Sequence, residues 1–201
     1  MAGLIAVEGL TSCSHGGETA REVQVKSVFD SCKTALINNQ TDQVMAYIPA
    51  NVDEYINRLK SAGKNSATSA HTNKEVTDSP GVDLLLQTAL ERKVPDDIRA
   101  GLTFNILMQR IAAKRLLNLH EVQQLDLGPV YVHGNRASAE IYYQGTLTAL
   151  RLPFVQEGKD WKIDVLAILP YAEVLMRLDR AIKGETEGQQ VELLVSRLPS
   201  L

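Results

Sequence analysis

The feature that most constrains this chain is a change of period. Up to Asn118 the apolar residues recur at helical spacing; from there to about Leu169 they alternate, with Gly or Asn punctuation roughly every ten residues. A helix buries one stripe and a strand buries one face, so the two halves must cover each other. This order predicts an α+β domain, with N-terminal helices packed on a curved antiparallel sheet of about four strands and one or two C-terminal helices after it. A chain of 201 residues, 44% of them hydrophobic, is long enough for one such core.

Within the helical half, Val25, Val28, Phe29, Cys32 and Leu36 stripe a first helix that ends near Asn38 and Asn39. A short turn from Thr41 to Met45 is broken by Pro49, and Val52, Tyr55, Ile56 and Leu59 repeat the spacing to about Gly63. Residues 64–79, polar and without apolar period, predict a mobile loop. "VDLLLQTALERK" reads as a helix, and "PDD" at Pro95 to Asp97 puts acidic groups at the start of another. The stripe Phe104, Leu107, Met108, Ile111 and Ala112 then predicts the longest helix of the chain.

The alternating half divides into four strands. The first runs from about Val122 to Val132, with a bulge at Gly128-Pro129 because Pro cannot donate to a ladder. Turns at Gly134-Asn135, at Gly145 and over Glu157 to Asp160 separate "RASAEIYYQG", "TLTALRLPFVQ" and "WKIDVLAIL". Pro170 opens a helix in which Tyr171, Val174, Leu175, Leu178 and Ile182 stripe one face, while Arg177, Arg180 and Lys183 form the other, solvated one; Gly184 closes it. Residues 188–198 fit a helix (Val191, Leu194, Val195, Leu198) or a strand (Val191, Leu193, Val195), and the helix is favoured.

Lys plus Arg number 21 against 24 Asp plus Glu, a net charge of -3, so no basic field exists to hold a polyanion and nucleic acid is excluded as a partner. No apolar run approaches the roughly 20 residues of a transmembrane helix. Two cysteines in neither a CxxC nor a His-rich spacing rule out structural zinc, and no cofactor or metal is expected. Cys32 lies in a helical stripe and reads as a small core hydrophobe.

Cys13 closes "LIAVEGLTSCS", and Leu10-Thr11-Ser12-Cys13 resembles the lipobox of bacterial lipoproteins, in which the cysteine becomes lipidated. The polar "SHGGETARE" resembles the tether that follows. The stretch lacks a positive n-region and Glu8 interrupts it, so residues 1–21 read as a flexible tail or residual leader and 22–201 as a single domain. The resemblance implies a lipid anchor on the periplasmic side of the cell envelope if a complete leader precedes Cys13, and a cytoplasmic protein otherwise.

"VYVHGNRASAEIYY", followed by "LRLPFVQEGKDWKID", resembles the closing strands of the NTF2-like (cystatin-like, cone-shaped α+β) superfamily over about Leu125 to Leu166. The shared residues have structural jobs: Gly158 permits the turn, Trp161 covers the open end of the core and Lys162 faces water. The long helical region, the loop before Pro80 and the added C-terminal helix depart from the usual member and could fill the cavity that the superfamily often uses.

Enzymes of that superfamily place Asp, His or Tyr in an apolar cone, where burial shifts their pKa values. The residues of this chain that could play such parts are Tyr131, His133, Tyr142, Tyr143, Arg151 and Asp164. Tyr143 is in phase with Ala137, Ala139 and Ile141 and predicts a core residue; Tyr142 falls on the opposite face. Arg151 points away from the face of Leu150 and Leu152, toward an ion pair with Glu140, and Asp164 shares a surface face with Lys162. No HExxH, GxSxG, phosphate-loop or paired-carboxylate motif nominates a catalytic set. The expectation is a non-enzymatic binding module for a small apolar ligand or a protein partner, with Tyr131, Tyr143, Arg151 and Asp164 as ligand-binding candidates and Cys13 as the lipidation candidate. Two alternatives stand beside it: an isomerase or dehydratase-type enzyme with Asp164 or His133 as base, and a homodimeric interaction protein.

Overall fold

The computed structural model describes residues 18–68 and 81–201, with side chains over 18–62 and 81–201. Cys13, His15, His71 and most of the expected loop lie outside them. The described chain is α+β, with helices, then a four-stranded antiparallel sheet, then two helices. Helix α1 (Ala20–Ile37) begins at a reciprocal capping box, in which Thr19 accepts from Glu22 N–H while the Glu22 carboxylate accepts from Thr19 N–H. Its buried side is Val25, Phe29, Cys32 and Ala35, with the predicted Val28 and Leu36 half-buried beside it, and it crosses the inner face of the sheet.

The sheet is a meander, β1 (Leu125–His133), β2 (Arg136–Tyr143), β3 (Thr146–Glu157) and β4 (Asp160–Ile163), in that spatial order. Register slips between Leu127 and Val130, which places the expected bulge at Gly128-Pro129. A Cβ at position 128 would lie 2.4 Å from Cε2 of Tyr142 on the neighbouring strand, so only glycine lets that ring lie over the bulge. At the β2–β3 reversal Gln144 (φ 51°) and Gly145 (φ 75°) are consecutive left-handed residues, a conformation whose twist matches that of the flanking strands. The free edge of β4 is closed by a main-chain bond from Ile163 N–H to Tyr47 O at 2.8 Å.

Inward-facing Val130, Ala137, Ala139, Phe154, Trp161 and Ile163 meet α1 together with α2 (Thr41–Met45) and α3 (Asn51–Thr68) in the main core. Trp161 is buried there, with the Arg21 guanidinium 5.2 Å from its ring centre. A second, smaller core of Val82, Met176, Val191 and Val195 joins α4 (Gly81–Lys93) to α8 (Leu169–Lys183) and α9 (Glu187–Arg197). Helix α4 belongs to both cores, because Leu90 packs into the first and Val82 into the second.

Four boundaries differ from the sequence reading. Helix α3 runs through Thr68, five residues into the expected loop, since no Gly or Pro stops propagation after Gly63. After α5 (Asp96–Arg99), α6 (Phe104–Ala113) has 10 residues and is not the longest helix; Arg115 takes a left-handed φ of 53° and ends the helical run. Val122 belongs to α7 (Leu119–Gln123), which Asn118 caps by accepting from Glu121 N–H, and β1 starts only at Leu125. The fourth strand stops at Ile163, and Val165–Ile168 is a 3-10 turn leading into α8. Residues 188–198 are helical almost throughout, because Thr186 and Gln189 form a second capping box.

Candidate functional site

The sheet brings three of the sequence-selected side chains together on its outer face. In register, Tyr131 opposes Ser138 and Glu140 opposes Arg151, so the Glu140 carboxylate sits diagonally between the tyrosine and the arginine. Tyr131 Oη donates to Glu140 Oε1 at 3.0 Å, Arg151 approaches the same oxygen at 3.6 Å, and its guanidinium lies 5.0 Å from the Tyr131 ring centre. The hydrogen bond to Glu140 pushes the Tyr131 hydroxyl pKa up. The expected Arg151–Glu140 pair is therefore present, within a ladder whose polar groups are directed at one another.

Asp164 is buried, whereas its alternation with Lys162 predicts a surface carboxylate. The reason is local: the strand ends one residue earlier, and Asp164 becomes the cap of the 3-10 turn. Its Oδ1 accepts from Ala167 N–H at 3.2 Å, its own N–H donates to Pro153 O at 2.9 Å, and Arg136 stands 4.0 Å from Oδ2. Tyr143 is half-buried at the end of β2 and accepts from the Gln144 amide at 3.3 Å; it is not one of the side chains that fill the core. Tyr142 lies over Gly128, and His133 is exposed at the end of β1. Tyr131 and Arg151 meet, while Tyr143 and Asp164 stand apart from them, each at a strand end.

Two further features stand out, and the first has no forerunner in the sequence reading. A groove of about 750 Å³ runs between α3, the start of α4 and the start of α8, with Leu166, Leu169 and Val174 along its apolar side. On its rim Tyr55 Oη donates to Asp83 Oδ1 at 2.5 Å, and Arg58 lies 3.9 Å from Asp83 Oδ2 and 4.9 Å from the Tyr55 ring centre. Burial, then the bond to Asp83, raises the Tyr55 pKa well above that of a free phenol. Tyr55 and Asp83 fall at unrelated positions in their two helical patterns, so no sequence signal marks the pair.

The second feature corrects an expectation. The α8 stripe of Tyr171, Val174, Leu175, Leu178 and Ile182 faces solvent, each residue 55% to 76% exposed, while Glu173 and Met176 on the opposite side are buried. Polar chemistry turns the helix this way. Glu173 accepts the Val82 N–H at the start of α4 (2.9 Å) and the Arg177 Nε–H (2.7 Å), and Arg180 stands 4.0 Å from both Glu173 and Glu187. Gln190 Nε2 donates to Met176 O at 3.1 Å and to Asp179 at 2.9 Å. A Cβ on Gly81 would lie within 2.7 Å of Glu187 Oε1, so α4 enters this network at a glycine. Opposed charges, hydrogen-bonded and close-packed, therefore occupy the side that hydropathy assigns to water.

No family model, curated protein or solved structure matches this chain. Among the described residues no three His, Cys, Asp or Glu side chains converge on a common point, and no helix is long and apolar enough to cross a membrane. The described residues present a self-paired polar ladder on the sheet, a groove with a Tyr–Asp–Arg rim, and an apolar helix face turned outward.

Proposed function

We propose that this chain is a non-enzymatic binding module of NTF2-like type whose partner is a protein engaged through the outward face of α8. The observation that carries the reading is the joint exposure of Tyr171, Val174, Leu175, Leu178 and Ile182 on one helix. Single exposed apolar residues are ordinary, but a contiguous stripe marks an interaction surface. Its i, i+3, i+4, i+7, i+11 spacing is that of anchors which seat a helix against a groove or another helix. The NTF2-like part rests on the motifs of Leu125 to Leu166 and their meander order. A photoreactive side chain at Leu178, introduced into the full chain in its native cells, is expected to give one discrete protein adduct identifiable by mass spectrometry. The same group at exposed Lys159 serves as the control. Equal or absent crosslinking at both positions would remove the reading.

Attachment to the envelope through Cys13 is part of the proposal on the strength of Leu10 to Cys13 alone. It predicts a lipid mass on the protein isolated from its native cells that disappears in Cys13→Ser; an unmodified Cys13 there rejects it. A second reading, a small amphipathic ligand, is favoured by the α3–α4–α8 groove, whose volume of about 750 Å³ falls in the range of ligand sites. Native mass spectrometry of the purified chain would then show a co-purifying molecule that is released in Arg58→Ala, and a clean apo mass argues against it.

A further inference from the structure

We propose that the partner of α8 is a second copy of this chain, paired antiparallel about a twofold axis at the Met176–Arg177 peptide. This deepens the reading above and rests on it. The spacing of the exposed stripe is nearly palindromic. Leu175 and Leu178 lie equally far on either side of that peptide, and so do Tyr171 and Ile182. A twofold axis there sets Leu175 against Leu178 of the second copy, twice, and Tyr171 against Ile182 at each end, which is the self-complementarity that an isologous interface requires. Only Val174 lacks an apolar counterpart, because Asp179 stands at its mirror position.

The charges beside the stripe choose the same occupant. Arg177 and Lys183 flank it, and each is already held by a carboxylate one turn back on its own helix, Glu173 at 2.7 Å and Asp179 at 2.9 Å. Rims neutralised from within leave little for an acidic peptide or an anionic lipid surface to gain, and they do not oppose a copy carrying the same neutralised rims.

Area sets the size class of the contact. Five side chains exposed to this degree offer on the order of 500 Å² per copy, short of the roughly 800 Å² per partner of a standard stable interface. An interface of that size belongs with weak, transient contacts, so the dimer is expected to be concentration-dependent.

Sedimentation velocity of the full chain from about 5 to 500 μM should show a monomer–dimer shift across that range. Leu178→Asp and, separately, Ile182→Asp should weaken the Kd by about tenfold or more while leaving the far-UV circular dichroism unchanged, since neither side chain is buried. In a Cys13→Ser background, mixing Leu175→Cys with Leu178→Cys chains should give a disulfide-linked heterodimer faster than either chain links to itself. Three results overturn the inference: a monomer throughout the range, a dimer indifferent to both aspartates, or self-linking of each cysteine chain in preference to the mixture. If the chain stays monomeric while Leu178 still crosslinks a different protein, this inference fails and the protein-binding reading stands; if Leu178 crosslinks nothing as well, both fail.

Discussion

Glu173 is the hinge of the helical lobe, and replacing it tests why α8 is turned as it is. In Glu173→Ala the Val82 N–H, buried at the start of α4, loses its acceptor, and Arg180 keeps Glu187 at 4.0 Å and the Gln190 side-chain carbonyl at 3.4 Å. An orphaned buried N–H costs about 1–3 kcal/mol and a weakened, partly buried charge network about another 1 kcal/mol. Arg177 adds little, because its side chain is 67% exposed. The expected loss is about 2–4 kcal/mol, a midpoint shift of about 1 M in urea for an m-value near 2–3 kcal/mol/M. Glu173→Gln keeps an acceptor for Val82 N–H and should lose only about 1 kcal/mol.

Two probes localise the effect. Trp161, the only tryptophan, sits in the sheet core, whereas Glu173 ties α8 to α4 in the second core. Far-UV circular dichroism should therefore move to lower urea by more than tryptophan fluorescence does. The pH dependence has a definite sign. Burial opposes ionisation of Glu173, but the Arg177 bond, the Val82 N–H and the charges of Arg177 and Arg180 outweigh it and hold the carboxyl below its usual range. A depressed folded-state pKa contributes stability that is complete above the unfolded value of about 4.3 and is lost as pH falls through the folded one. The gap between wild type and Glu173→Gln should be full at pH 7 and close below about pH 4. A loss under about 0.5 kcal/mol in Glu173→Ala, or a gap independent of pH, would refute the account of how α8 is oriented.

Phe154 is 1% exposed between α1 and the sheet, so Phe154→Ala should cost about 3–5 kcal/mol and move both probes together; a midpoint shift confined to one probe would contradict the single main core. Gly128→Ala places a Cβ 2.4 Å from the Tyr142 ring and should destabilise by about 1–3 kcal/mol, with most of the loss recovered in Gly128→Ala/Tyr142→Ser; no recovery would mean that the backbone at the bulge is responsible instead. The Cys32 thiol is buried and its pKa is pushed up to about 11 by that burial. With Cys13→Ser the folded chain should react with a thiol reagent at pH 8 only through unfolding, and free-thiol rates would refute the packing of α1.

The strands were legible because alternation and turn chemistry act locally. Gly134, Gly145 and Gly158 all have the left-handed φ that their turns require, and the Gly128-Pro129 bulge lies where proline forbids a ladder bond. The Arg151–Glu140 pair followed from strand parity alone, since register turns a two-residue period into a face. Asp164 escaped the same logic, because one residue decides whether a carboxylate continues a strand or caps a turn, and alternation carries no end signal there. Tyr55 and Asp83 met through the packing of α3 on α4, a distance relation with no local signature.

What the residues alone determined is the class of the fold, its meander of four strands and most of the stripe of α1, because each of these is settled by neighbours within a turn of helix or a single reversal. What tertiary structure decided is which way α8 faces. Its hydropathy predicts Tyr171 to Ile182 inward, yet one carboxylate, Glu173, engages the Val82 N–H of α4 and two arginines at once, while Gln190 binds the helix from behind. Charge-assisted bonds fix the contacts of α8 with α4 and α9 on the side of Glu173 and Met176, and the apolar stripe is left on the opposite side, in solvent.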